Sequence, residues 1–436
     1  MKEAGRGSPA GRRSLGSIQG IVQGVGFRPF VYQLAGRFRL TGYVVNTPKG
    51  VDLEVEGAEE DVERFFAALR DESPPLAHIS HIERTDGLPP GHGSGFEIRE
   101  SRTGEARSAL ISPDVSVCGD CLRELHDPRD RRYRYPFINC TNCGPRYTII
   151  QDIPYDRPMT TMGRFVMCDD CRAEYEDPED RRFHAQPNAC PRCGPRLALH
   201  DAAGTPLDCD DPVEETIRRL RAGEILAVKG LGGFHLAVDA SRHDAVVRLR
   251  RRKHREEKPL ALMVPDLEAA RALARIPTED AEILRSIQRP IVLVEKREDH
   301  GLSPEVAPRN RFFGLMLPYT PLHDLLLREG GFRALVMTSG NLSEEPITIA
   351  NQDAFERLRG IADAFLVHDR DIHLRSDDSI VRVVRGVPRQ IRRSRGFVPV
   401  PVFLREDRPA LPSVLAVGGG LKNTLSPTRE AGTCVS

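Results

Sequence analysis

Ten cysteines stand in this chain of 436 residues, and eight of them are spaced for metal rather than for disulfides. Cys118 and Cys121 form a C-x2-C pair, and Cys140 and Cys143 follow after eighteen residues. The same pattern returns at Cys168, Cys171, Cys190 and Cys193. Four thiolates at such spacing close a tetrahedral zinc shell and leave no position for a substrate, so two structural zinc ions are expected. Modules this short, with so few large apolar residues, would draw much of their folding free energy from ligation. His126 and His184, inside the modules, read as structural residues; Cys209 and Cys434 are left over.

Two further groups of residues suit anions. Between a predicted strand and a predicted helix, Val22, Gln23, Gly24, Val25, Gly26 and Phe27 offer backbone N–H groups that can cradle a small tetrahedral anion, and Arg28 adds a charged fork. Asn46 follows a later strand, close to a turn at Gly50. Far along the chain, Lys253 and Arg255 close a cationic run, while Ser339 and Asn341 follow another strand. Two polar clusters then flank one sheet, with Lys229, at the end of a predicted strand, as a further candidate. Within the cationic run, Arg248, Arg250 and Arg251 read as a solvated helix face.

The elements that must position these groups follow from periodicity. Residues 17–22 alternate as a strand, 27–38 carry apolar residues at helical spacing, and 43–45 with 51–55 read as a hairpin turning at 48–50. A helix over 61–69 and a closing strand at 96–98 complete the β-α-β-β-α-β order of a ferredoxin-like sandwich, with a Gly- and Pro-rich loop over 86–95. Residues 118–196 are an internal repeat displaced by fifty residues, in which Asp130-Arg131-Arg132 answers Asp180-Arg181-Arg182 and Gly144-Pro145-Arg146 answers Gly194-Pro195-Arg196. From about residue 206 to 395 helices and strands alternate as one α/β domain, with a helix over 213–221 and strands over 225–228, 291–294 and 334–338. The fold expected is thus multidomain, α+β followed by α/β.

Composition sets the outer bounds. Sixty-three Lys and Arg balance sixty-three Asp and Glu, so the chain has no global field to draw a nucleic acid. No run approaches the roughly 18 apolar residues that cross a bilayer, and residues 1–14 hold no apolar leader segment. A cytoplasmic protein without a membrane partner is expected, with reduced thiols.

Residues 20–28 with Asn46 and Gly50 resemble the acylphosphatase signature over roughly the first hundred residues. In that family the arginine binds phosphoryl oxygens and the asparagine orients the attacking water, which implies those roles for Arg28 and Asn46. Lys253-His254-Arg255 and Ser339-Gly340-Asn341 resemble the K-x-R and S-x-N elements of the YrdC family, which adenylates a small carboxylated group. That likeness implies phosphate contacts for Lys253 and Arg255, and nucleotide or acyl contacts for Ser339 and Asn341. It extends the cavity to His373, Arg375 and Ser379, and implies ATP as cosubstrate with magnesium. It also admits double-stranded RNA as a partner, which the balanced charge disfavours.

Taken in order, the acylphosphatase-like domain (14–101), the four-cysteine modules (118–143 and 168–193) and the YrdC-like domain (206–397) resemble the N-terminal part of the HypF family of NiFe hydrogenase maturation. The resemblance implies hydrolysis of carbamoyl phosphate, capture of carbamate as carbamoyl-AMP in a confined space, and transfer to the C-terminal cysteine of a HypE-like acceptor. Residues 413–436 open like that family's C-terminal transferase domain, and 426–436 lose the pattern, as a truncated, frameshifted or split frame would. Two other readings are a threonylcarbamoyl-AMP synthase for tRNA modification and a zinc-dependent, non-catalytic scaffold. A fused acylphosphatase argues against the first, and the joint presence of Arg28, Asn46, Lys253, Arg255, Ser339 and Asn341 against the second.

Overall fold

The computed structural model describes residues 11–89, 91, 94–102, 109–342, 345–403, 414–417, 425–429 and 432–433. The chain folds as two compact units, the first made of Met1–Ser112, Cys140–Asn142 and Ile150–Asn188, the second of Pro113–Asn139, Cys143–Ile149 and Ala189–Ser436.

The first unit is built on β1 (Gly11–Ile21), α1 (Phe27–Arg37), β2 (Thr41–Thr47), β3 (Gly50–Ala58), α2 (Glu59–Asp71), β4 (His78–Thr85) and β5 (Phe96–Ile98). The sheet order is β4-β1-β3-β2-β5, with β5 parallel to β2. The expected sandwich is present, with β1 six residues longer at its start than the alternation indicated, because its first residues pair with β3 from Gly11 to Ala58 onward. In β3, Val51, Leu53 and Val55 point to the core. Val62, Phe65, Phe66 and Leu69 form the buried stripe of α2, whose first turn carries Glu59, Glu60 and Asp61 where the helix dipole favours anions.

The four-cysteine repeat is visible in the backbone. Helices α3 (Gly119–His126) and α4 (Asp169–Glu176) start fifty residues apart, and Arg134 and His184, also fifty apart, both adopt φ 53°. The N–H groups of Arg132 and Arg182 each donate to the aspartate two residues earlier at 2.7 Å.

The second unit carries one large mixed sheet. Its elements are β6 (Leu197–Asp201), β7 (Pro206–Leu207), α5 (Pro212–Arg221), β8 (Leu226–Lys229), β9 (Phe234–Asp239), α6 (His243–Arg252), β10 (Ala261–Met263), α7 (Leu267–Leu273), β11 (Ala274–Arg275), α8 (Thr278–Arg285), β12 (Ile291–Lys296), β13 (Phe312–Met316), α9 (Pro321–Gly330), β14 (Leu335–Ser339), α10 (Asn351–Arg357), β15 (Ala364–His368), β16 (Ile380–Val384) and β17 (Val387–Arg392). The order is β17-β16-β12-β13-β10-β14-β9-β8-β15-β6-β7, with β11 on β12. The sheet begins at Leu197, ahead of residue 206, because the β6–β7 hairpin adds to β15 by backbone pairing that leaves little apolar periodicity.

Register brings Val228, His235 and Ser339 into one line across β8, β9 and β14. Lys229, the Gly230–Gly233 turn and the residues after Ser339 therefore sit at one end of the sheet, where open α/β sheets receive ligands. Short strands β18 (Val402–Phe403), β19 (Leu415–Val417), β20 (Leu425–Arg429) and β21 (Gly432–Thr433) pair as a separate four-stranded sheet. The expected opening of a further domain falls largely outside the described residues, as does Cys434. No helix among the described residues is long and apolar enough to cross a membrane.

Candidate functional sites

In the first unit, Gly24 and Gly26 take φ 72° and 74°, a left-handed conformation that lets the chain turn from β1 into α1 through residues 22–26. Gln23 is buried, and its Nε2 donates to the carbonyls of Thr47 and Gly50, each at 2.8 Å. That ties the glycine loop to the β2–β3 turn, where Asn46 is 1% exposed. Oriented with its oxygen toward Arg28, the Asn46 amide accepts from Nε at 3.2 Å and Nη2 at 3.1 Å. Arg28 and Asn46 thus meet over the loop. Arg28 has a further partner that the sequence did not announce: Nη2 also pairs with Asp156 Oδ1 at 2.8 Å. His184 lies nearby, its pKa lowered to about 4 by burial and by Arg28, against the opposing effect of Asp156.

In the second unit, Lys253 follows α6 and is 2% exposed. Its ammonium donates to the carbonyls of Ser339 (2.6 Å) and Asn341 (2.5 Å) and to Asn341 Oδ1 (2.9 Å), while Ser339 Oγ donates to the same Oδ1 at 2.7 Å. The K-x-R and S-x-N elements, eighty-odd residues apart, are one hydrogen-bonded cluster. A Cβ on Gly340 would come within 2.7 Å of Phe234 Cβ, so the turn between Ser339 and Asn341 requires glycine. Arg255 donates to the carbonyls of Lys258 (3.0 Å) and Pro259 (2.5 Å) and to Thr338 Oγ1 (3.3 Å). Burial, Arg250 and Arg392 lower its pKa to about 10. A guanidinium held by neutral oxygens, with cations for charged neighbours, is a ready receptor for an anion.

Lys229 lies elsewhere at the same sheet end, with Nζ donating to His368 O at 3.1 Å. His373 and Arg375 are exposed, and Ser379 is buried with Oγ donating to Arg395 O at 2.9 Å. Arg250 is not on a solvated face as the cationic run indicated. It is 6% exposed, with Nη1 donating to the carbonyls of Arg255 and Glu256 and Nη2 to those of Lys258 and Val306, so it shapes the turn that presents Arg255. His126 is a structural residue, sharing a 2.6 Å hydrogen bond with Asp324.

A buried network escaped the sequence reading. Asp378 accepts from Arg395 and pairs with His235, both at 2.9 Å, and the Arg395 guanidinium lies 3.4 Å over the Tyr319 ring. Burial alone would raise the Asp378 carboxyl, but Arg395 and His235 override it and hold it far below the usual range. Beside Tyr319, His323 is 1% exposed with neither ring nitrogen hydrogen-bonded among the described residues, and burial drives its pKa well down. The folded state then resists protonation that the unfolded chain accepts below about pH 6.5, so stability is complete above that pH and falls as acid is added. Replacing His323 with Leu is expected to flatten the decline of Tm between about pH 6.5 and 5. Equal slopes in the two proteins would count against this assignment.

The cysteine sets fit zinc. Within each, all four Sγ atoms lie within 4.8 Å of one another, and most of the cysteines are buried. Cys121 and Cys143 are 3.5 Å apart and Cys190 and Cys193 3.8 Å. Tetrahedral sulfurs about 2.3 Å from zinc are separated by about 3.8 Å. Zinc would be held by Cys118, Cys121, Cys140 and Cys143 in one module and by Cys168, Cys171, Cys190 and Cys193 in the other, each set complete in itself.

Three protein families match successive parts of the chain: acylphosphatase over residues 16–98, HypF finger over 117–150 and 167–200, and a family described as telomere recombination over 218–394. The carbamoyltransferase HypF2 of Cupriavidus necator is 50% identical over 431 residues, covering 94% of this chain and 53% of that protein. An acylphosphatase of Caldivirga maquilingensis is 39% identical over 88 residues, which are 19% of this chain and 87% of that protein. A crystal structure of full-length HypF in its phosphate- and nucleotide-bound form superposes with a TM-score of 0.93 at 46% identity, over 99% of this chain and 56% of that one. The chain spans about half the length of the HypF proteins it matches.

Proposed function

The chain belongs to the HypF family, and on that premise we propose that it converts carbamoyl phosphate and ATP into carbamoyl-AMP for the maturation of NiFe hydrogenase. The reading is supported above all by one observation: the same chain sets Arg28 beside a glycine loop and Arg255, through Thr338, next to the lysine–serine–asparagine cluster, two unlike arrangements that suit anions.

At the first, water adds to phosphorus and the carbamoyl oxygen leaves, so carbamoyl phosphate and water become carbamate and inorganic phosphate. Residues 22–27 and Arg28 hold the phosphoryl oxygens as charge shifts to the leaving carbamate, and Asn46 orients the water. At the second, a carbamate oxygen attacks the α-phosphorus of ATP, forming carbamoyl-AMP and releasing pyrophosphate. Arg255 receives the anionic groups, while Lys253 fixes the turn through which Ser339 and Asn341 meet nucleotide or acyl group. Lys229 supplies charge at the same end of the sheet. Magnesium accompanies the nucleotide in this reading. Zinc in the cysteine modules would be structural, since four thiolates leave no open position. Transfer from carbamoyl-AMP to the C-terminal cysteine of a HypE-like acceptor, in the cytoplasm, completes the scheme.

Pyrophosphate release is expected to require carbamoyl phosphate and to fall about a hundredfold in Lys253→Ala, because the Ser339–Asn341 turn loses its tie and an electrostatic partner. The check is a coupled pyrophosphate assay with and without carbamoyl phosphate. Release that depends on threonine and bicarbonate instead would overturn the reading in favour of threonylcarbamoyl-AMP synthesis.

A further inference from the structure

Resting on the hydrolase reading of the glycine loop, we infer that Asp156 is the specificity residue that selects a carbamoyl group over other acyl phosphates. Asp156 lies well beyond residue 98, where the acylphosphatase match ends, yet it sits on the arginine that match supplies. Its position is built in. The N–H of Tyr155 donates at 2.9 Å to Gln23 Oε1, on the same buried amide that joins the glycine loop to Thr47 and Gly50. One side chain therefore sets the phosphate loop, the asparagine strand and the segment bearing Asp156 in register.

A carboxylate at a phosphate receptor opposes the binding of phosphate, so its presence calls for a compensating contact. Arg28 shows how room is left for both. Nε and Nη2 serve Asn46 and Asp156, whereas among the described residues Nη1 meets Ser101 Oγ, at 3.4 Å, and keeps donor capacity for a phosphoryl oxygen. The Asp156 side chain is a quarter exposed, and its Oδ2 receives no hydrogen bond from the described residues. Placed beside the acyl end of the substrate, that oxygen can accept an N–H of the carbamoyl amino group. Acetyl phosphate carries a methyl group there, which donates nothing and leaves Oδ2 without that contact.

The test compares kcat/KM for carbamoyl phosphate and acetyl phosphate in the zinc-loaded 436-residue chain and in its Asp156→Asn and Asp156→Ala variants, each checked for an unchanged far-ultraviolet spectrum. The wild-type preference for carbamoyl phosphate is expected to fall by about tenfold to a hundredfold in both variants, with acetyl phosphate hydrolysis rising as the carboxylate is removed. Parallel loss with both substrates would make Asp156 a mere prop for Arg28 and overturn the inference. Wild-type hydrolysis without preference would overturn it while leaving the hydrolase reading intact. No phosphate release from either substrate by the wild-type chain would remove both.

Discussion

An Arg28→Ala chain is expected to release phosphate from carbamoyl phosphate about a thousandfold more slowly than the parent, with most of the loss in kcat. Among the described residues the Arg28 guanidinium is the cation that bonds both Asn46 and Asp156, so its removal takes away the charge facing the phosphoryl group and the anchor of both neighbours at once. Arg28→Lys should rescue little. An ammonium cannot hold Asn46 through two nitrogens, pair with Asp156 and keep a third nitrogen for substrate, because that division depends on the planar fork. Phosphate release measured with carbamoyl phosphate alone isolates this step from adenylation. A variant retaining a tenth or more of the activity would show that the loop N–H groups suffice and that Arg28 is chiefly a structural partner of Asp156.

How much of this was legible beforehand depends on whether a group is placed by local sequence or by tertiary contact. The loop over residues 22–27 is local: left-handed glycines and a following helix can be read from the residues themselves, as can the hairpin that delivers Asn46. C-x2-C spacing is equally local, and the structure keeps each four-cysteine set separate. Lys253 and Asn341 are far apart in sequence, and only their likeness to two paired elements of one family brought them together; no periodicity does.

Asp156 and the His235–Asp378–Arg395 network were invisible for the converse reason. An aspartate in a stretch rich in Asp, Pro and Arg looks like any surface loop, and nothing in its neighbours announces that Gln23, more than a hundred residues away, holds Tyr155. Arg250 misled in the same manner. Its place in a cationic run indicated solvent, whereas the carbonyls that turn the chain after α6 take it inward.

The cysteine modules lead to the other large effect, and it reaches the chemistry. A Cys171→Ser chain is expected to bind one zinc ion instead of two, and to lose the cooperative fold of the segment Ile150–Asn188. Structural zinc contributes an apparent binding free energy of about 10–16 kcal/mol in small modules. The apolar core of that segment cannot replace it, being little more than Ile150, Tyr155, Met162 and Phe183. Elemental analysis should give one zinc per chain and hydrogen exchange should show lost protection over this segment, with β1 to β3 unaffected. Loss of both metals would mean that ligands are shared between the repeats. Since Asp156 belongs to the segment, the same variant should hydrolyse acetyl phosphate at least as fast as the parent while losing preference for carbamoyl phosphate. That pattern would tie a metal with no open coordination position to the choice of substrate at Arg28, through the backbone it holds in place.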